Sequence, residues 1–154
     1  MTNVDRAGTQ KGAVWDPPAV GTTATWSKAF SAADVERFAE ITGDRNPIHF
    51  DHDFARGTRF GGLVVQGGLT AGLFNALVAM KLPGPGSVFL SQQWEYTAPV
   101  YIDDAVEAEA EVTSSRADKP ITTLRCVARR SDGSIVLSGT CVVYTLLPNV
   151  PSAE

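Results

Sequence analysis

Cysteine, histidine and methionine are scarce in this chain, with two of each among 154 residues. Two cysteines, Cys126 and Cys141, cannot build a disulfide framework, and two histidines offer no convincing cluster of soft metal ligands, so no metal is expected. The thiols flank the turn Ser131-Asp132-Gly133-Ser134 almost symmetrically, which predicts that they lie near one another across a hairpin and stay reduced. Positive charge is also short: 13 Lys and Arg stand against 17 Asp and Glu, for a formal net charge of -4. Without a basic arm, nucleic acid is not an expected partner. Long apolar runs are missing too. The longest, from Leu69 to Met80, is interrupted by Thr70, Gly72 and Asn75 and is too short to span a bilayer, and the N-terminal residues carry no apolar core of a signal peptide. No membrane association is expected, and the expected compartment is the cytoplasm.

What remains is a mildly acidic chain of ordinary single-domain size, 19% charged. Residues 1–20, with Gly8, Gly12, Pro17 and Pro18 and no hydrophobic period, read as a loose or draping leader in which Trp15 is the residue able to pack. Residues 21–148 read as the one domain and 149–154 as a tail. Thr23 to Phe30 alternates as a strand does. Ser31-x-x-Asp34 then opens a helix with Val35, Phe38, Ala39 and Ile41 on its apolar face, and Gly43 closes it. Gly67 to Lys81 is apolar on nearly every side and predicts a helix wrapped by other structure, stopped by Pro83-Gly84-Pro85-Gly86. Four strand-like segments follow, at about 88–97, 106–116, 121–130 and 134–147. In the second, Val106, Ala108, Ala110 and Val112 alternate with Glu107, Glu109 and Glu111, so one face is buried and the other wet, with Arg125 and Arg129 of the next strand placed to pair with the acidic row. One apolar helix followed by an antiparallel meander predicts an α+β fold, a sheet wrapped around a central helix.

Between the first helix and the apolar one lies Thr42-Gly43-Asp44-Arg45-Asn46-Pro47-Ile48-His49, with an acid and an imidazole five residues apart. Pro47 keeps the stretch from being helical. A loop that fixes one Asp against one His suits acid/base chemistry, although a turn capped by Asp44 beside a satisfied His49 fits the residue types as well. Asn46 can bond backbone groups of the same loop and hold the other two in place. His52, between Asp51 and Asp53, reads as a solvated turn residue. Gly67 opens the apolar helix, where a glycine lets a backbone N–H approach a ligand oxygen with the positive end of the helix dipole behind it; close helix-sheet packing is the alternative reading.

Gly43-Asp44-x-Asn46-Pro47-Ile48-His49, Phe50-x-x-x-Phe54-Ala55, Gly67-Gly68-Leu69-Thr70-Ala71 and Leu82-Pro83-Gly84-x-Gly86-Ser87 together resemble the (R)-specific enoyl-CoA hydratases of the MaoC-like hotdog superfamily, over roughly residues 22–147. The resemblance implies a hotdog fold and a homodimer with the substrate tunnel along its interface. It implies that Asp44 and His49 orient one water for syn addition to a trans-2-enoyl thioester, giving an (R)-3-hydroxyacyl product, and that the Gly67 amide binds the thioester carbonyl. The acyl group is expected on coenzyme A or acyl carrier protein; coenzyme A is then part of the substrate, and no separate cofactor is expected. The reverse reaction, dehydration of a 3-hydroxyacyl thioester, is equally implied. A hotdog thioesterase and a non-catalytic partner subunit are competing readings.

Two positions depart from the pattern. Family members commonly carry His-Gly where this chain has Gln66-Gly67, and Asn75 replaces a small hydroxyl residue further along the same helix. Both are kept as candidate substrate-binding positions. The cations that coenzyme A phosphates would need are scattered over Arg56, Arg59, Lys81, Arg116 and Lys119, and the sequence singles out none of them.

Overall fold

The computed structural model describes residues 14–148, so positions 1–13 of the expected leader and the expected 149–154 tail lie outside the described residues. Five strands and three helices follow in chain order: β1 (Thr23–Ala29), α1 (Ala32–Thr42), α2 (His52–Arg56), α3 (Gly67–Met80), β2 (Ser87–Tyr96), β3 (Ala105–Ser115), β4 (Ile121–Arg130) and β5 (Ile135–Thr145). All strands pair antiparallel in one sheet of order β1-β3-β4-β5-β2. A plain meander would have set β2 beside β3. Instead β1 takes the place beside β3, and β2, which follows α3, pairs with β5 at the far edge, leaving the centre of the sheet to β3, β4 and β5.

The sheet wraps α3. Leu73, Phe74, Leu77 and Val78 are buried in one cluster with Val106, Ala108, Ala110, Leu124, Cys126 and Leu137. Phe74 stacks on Trp94 of β2 with ring centroids 5.0 Å apart. Each fully buried Leu or Phe side chain contributes about 1.5–3 kcal/mol through removal of apolar surface from water. This is the α+β hotdog arrangement, as expected. One qualification concerns α3, which is not covered all round: Gly68, Asn75 and Met80 are exposed.

The alternation of β3 puts Val106, Ala108, Ala110 and Val112 inside. Its acidic row meets Arg125, which pairs with Glu111, and Arg129, whose Nη1 lies 4.0 Å from Glu109 Oε1. Cys126 and Cys141 face each other inside the sheet, Sγ to Sγ 3.7 Å, both free. The contact with Cys141 and burial push the Cys126 thiol well above its ordinary range. Ile41, expected on the buried face of α1, is 84% exposed. Six positions beyond Val35 it stands about 120° round the helix from that buried residue, and the last turn projects it outward. At the described end of the leader, the Trp15 indole donates to the Arg116 carbonyl at 2.7 Å.

Candidate active site

The loop that carries Asp44 and His49 begins where α1 ends. Ser31 and Asp34 form a reciprocal capping box at the start of that helix, and Gly43 at φ 81° takes the left-handed conformation that ends it, its N–H donating to Ala39. Asp44 N–H then donates to the Thr42 hydroxyl at 3.2 Å, and Asp44 Oδ1 accepts from Asn46 N–H at 3.2 Å. Asn46 Oδ1 accepts from Ile48 N–H at 3.2 Å. Pro47 does not exclude helix altogether. It starts a single 3₁₀ turn, Pro47–His49, at the first position, where no N–H is needed and φ is already suitable. That turn swings the His49 side chain inward.

His49 is buried, and its Nδ1 lies 2.7 Å from the carbonyl oxygen of Val64. A carbonyl can only accept, so Nδ1 carries the hydrogen and Nε2 is the atom free to exchange a proton. Nε2 stands 3.7 Å from Asp44 Oδ2, and the Asp44 side chain is 41% exposed. That gap is too long for a direct hydrogen bond and the right size for one water oxygen within reach of both groups.

Asn46, His49, Gly67 and Thr70 border one cavity of about 760 Å³. Val64, Val65, Val100 and Val136 give it apolar walls, Tyr96 and Tyr101 add aromatic ones, and its charged side chains are Arg59 and Arg130. Gly67 begins α3, so its N–H points out of the helix with the dipole behind it. A Cβ here would come within 2.9 Å of the Tyr96 ring, so the glycine also serves the close-packing reading.

Gln66 and Asn75 fall elsewhere. Gln66 is buried, and its Nε2 donates to the Val35 carbonyl at 3.1 Å, tying α3 to α1; it does not border the cavity. Asn75 is exposed on the open face of α3, also outside the cavity lining. The helical phase that sends Gly67 and Thr70 into the cavity sends Asn75 out of it, so of the expected substrate-binding positions it is Gly67 that borders this cavity. His52 is exposed at the start of α2, as read from its acidic neighbours.

Thr70, Tyr96 and Arg130 were not legible as site residues. Thr70 sits three residues after Gly67, so helical spacing alone could have flagged its hydroxyl. Tyr96 required knowing that β2 ends beside the start of α3; partial desolvation of this half-exposed side chain raises its phenol pKa. Arg130 reaches the cavity from β4 and is held by the Pro99 carbonyl at 3.2 Å, Asp132 at 3.1 Å and Asp104 at 3.8 Å.

A hotdog sheet with an Asp/His loop facing a helix N-terminus defines a class, and comparison with known proteins names it. Residues 15–130 match the MaoC like domain, and the chain belongs to this family. It is 44% identical over 124 residues to an (R)-specific enoyl-CoA hydratase of Aeromonas caviae, covering 80% of this chain and 92% of that one. It is also 44% identical over 124 residues to a 3-hydroxybutyryl-CoA dehydratase of Methylorubrum extorquens, covering 80% and 78%. Among solved structures, the (R)-hydratase from A. caviae involved in PHA biosynthesis superposes with a TM-score of 0.80 at 42% identity, covering 84% of this chain and 98% of that one.

Proposed function

We propose that this protein is an (R)-specific 2-enoyl-CoA hydratase, a hydro-lyase that adds water reversibly across a trans-2-enoyl thioester. The observation that carries the reading is the placement of His49 Nε2, with Asp44 3.7 Å away, at a cavity that also receives the Gly67 helix terminus. Hydration requires a base for the water, an acid for Cα and donors for the enolate oxygen. Asp44 and His49 share one proton between them. The unprotonated partner takes a proton from water as its oxygen bonds to Cβ, and the protonated partner delivers its own to Cα from the same side. The Gly67 N–H carries the thioester oxygen while negative charge builds on it. Nothing in this sequence of steps calls for a separate cofactor, since coenzyme A enters with the substrate. Run backwards, the same groups dehydrate a 3-hydroxyacyl thioester.

The protein acts as a homodimer in this reading. β2 is an edge strand whose Val88, Leu90 and Tyr96 are 46%, 57% and 54% exposed, and Tyr96 also borders the cavity, so joining two sheets along β2 covers the edge and walls the site. No helix among the described residues is long and apolar enough to cross a membrane, and the two free thiols suit the cytoplasm.

The test is to incubate the purified protein with trans-2-enoyl-CoAs of increasing length while following both the conjugated-thioester absorbance and free thiol. Loss of absorbance without thiol release supports the hydratase. Thiol release at the same rate would replace it with a thioesterase, and no reaction in either channel would leave the non-catalytic subunit.

A further inference from the structure

The cavity has an electrostatic bias opposite to that of the protein. The chain as a whole carries -4, yet the charged side chains in the cavity lining are Arg59 and Arg130, with Asp44 beside His49 as the accompanying acid. Arg130 is already neutralised by Asp104 and Asp132. Arg59 is not. Every other arginine among the described residues has a carboxylate oxygen within 4.0 Å of its guanidinium, whereas no such partner stands beside Arg59. Its guanidinium lies 5.0 Å from the centroid of the Phe60 ring, a stacking that limits its rotamers while leaving its N–H donors free. The other cations named from the sequence are engaged or lie away from the cavity. Arg56 pairs with Asp53, Arg116 with Asp118, and Lys81 donates to the Thr25 carbonyl over the Trp26 ring. Lys119 does not border the cavity.

Resting on the hydratase reading, we propose that Arg59 is the anion-binding residue of this site and grips a phosphate ester on the pantetheine arm of the thioester substrate. An unneutralised, ring-stacked guanidinium bordering the cavity raises the local concentration of an anionic ligand and can hold phosphate oxygens through two parallel N–H donors. Such a contact is made equally in ground and transition states. It therefore lowers KM and leaves kcat alone. Both coenzyme A and acyl carrier protein present the phosphate nearest the pantetheine, whereas the adenosine-end phosphates belong to coenzyme A only.

The test compares wild type, Arg59→Gln and Arg59→Lys on one trans-2-enoyl group carried by coenzyme A, dephospho-coenzyme A, 4′-phosphopantetheine and pantetheine. Arg59→Gln raises KM for the coenzyme A thioester about tenfold with kcat unchanged, in line with loss of one charge-assisted contact. Arg59→Lys recovers part of the loss, and KM for the phosphate-free pantetheine thioester changes less than twofold. If the 4′-phosphopantetheine thioester shows the whole effect, the ligand is the phosphate common to both carriers; if the effect appears only with coenzyme A or its dephospho form, it is the adenosine end. An equal rise of KM with pantetheine, or no rise with coenzyme A, overturns the proposal. Titration of free coenzyme A into wild type and Arg59→Gln reads the same contact without turnover. Wild-type inactivity on every thioester would thus remove the hydratase reading while still testing Arg59.

Discussion

The Nδ1 hydrogen of His49 is committed to the carbonyl oxygen of Val64, 2.7 Å away and 15 residues further along the chain. This bond does two things at once. It fixes which ring nitrogen faces Asp44, and it ties the 3₁₀ turn to the segment that leads into α3, so the imidazole and the Gly67 terminus are held by one piece of backbone. Val64 N–H in turn donates to the Ile48 carbonyl at 3.3 Å, closing the link. Removal of either titrating group should stop the proton exchange while leaving this scaffold. Asp44→Asn and His49→Gln are each expected to lower the hydration rate by about 10² to 10⁴. The double variant should lose little more, because groups acting on one water are non-additive. Initial rates on a trans-2-enoyl-CoA, with circular dichroism to verify folding, decide it. Near wild-type turnover in either folded single variant would turn that residue back into a turn scaffold.

A second prediction concerns the inner face of the sheet. A Cβ on Gly139 would lie 1.9 Å from the Gln93 carbonyl oxygen and 2.6 Å from the Trp94 ring. Gly139 pairs directly with Trp94, whose indole is the one stacked on Phe74. Gly139→Ala must therefore push β2 away from β5 or turn the indole off Phe74. Overpacking of this kind typically costs about 1–3 kcal/mol. Denaturant unfolding followed by tryptophan fluorescence should show a lower midpoint and an altered native emission; an unchanged midpoint would mean that the edge strand gives way freely.

The fold was legible because its signals are local. Alternation marks β3, capping residues mark α1 at both ends, and an apolar run between glycine and proline marks α3. The Asp44/His49 juxtaposition was legible for the same reason, since five residues of loop carry it. Strand order was not, because the crossing of β2 to the far edge is settled by long-range packing over α3. The cavity walls inherit that blindness: Tyr96 and Arg130 come from strands that meet the loop only after the sheet has closed. Gln66 and Asn75 were placed by family pattern, which carries no information on side-chain direction. Gln66 turned inward to satisfy the Val35 carbonyl, and Asn75 faced out.

The capping box gives a pH-dependent contribution to stability. The Asp34 carboxylate accepts from the Ser31 backbone N–H and hydroxyl at 3.0 Å each, and with Lys28 3.2 Å away these contacts lower its pKa below 3.8. A carboxylate with a depressed folded-state pKa stabilises the native state above its unfolded pKa, and that contribution fades as pH falls through the folded value. Asp34→Asn should thus be less stable than wild type at pH 7, with the difference shrinking below about pH 4. Ser31→Ala should cost about 1 kcal/mol. Thermal melts from pH 3 to 7 measure both. A gap between wild type and Asp34→Asn that stays constant over this range would assign the loss to shape instead of charge.

The dimer is open to a direct test at its proposed seam. Leu90 is 57% exposed on β2, beside a register shift between Phe89 and Ser91 in the pairing with β5. An apolar edge strand left in water invites pairing with another strand, and a second copy of β2 is the partner that the proposed assembly supplies. A charge at this position would be desolvated between two sheets, a cost of at least several kcal/mol when unpaired. Leu90→Glu should therefore move the protein from dimer to monomer in light scattering at micromolar concentration. Activity should fall with it, since Tyr96, six residues along the same strand, borders the cavity and loses its fixed surroundings. A monomeric Leu90→Glu variant with full hydration activity would show that one chain completes the site alone. A variant that stays dimeric would move the interface away from β2, with the exposed face of α3 bearing Gly68 and Asn75 as the next surface to probe.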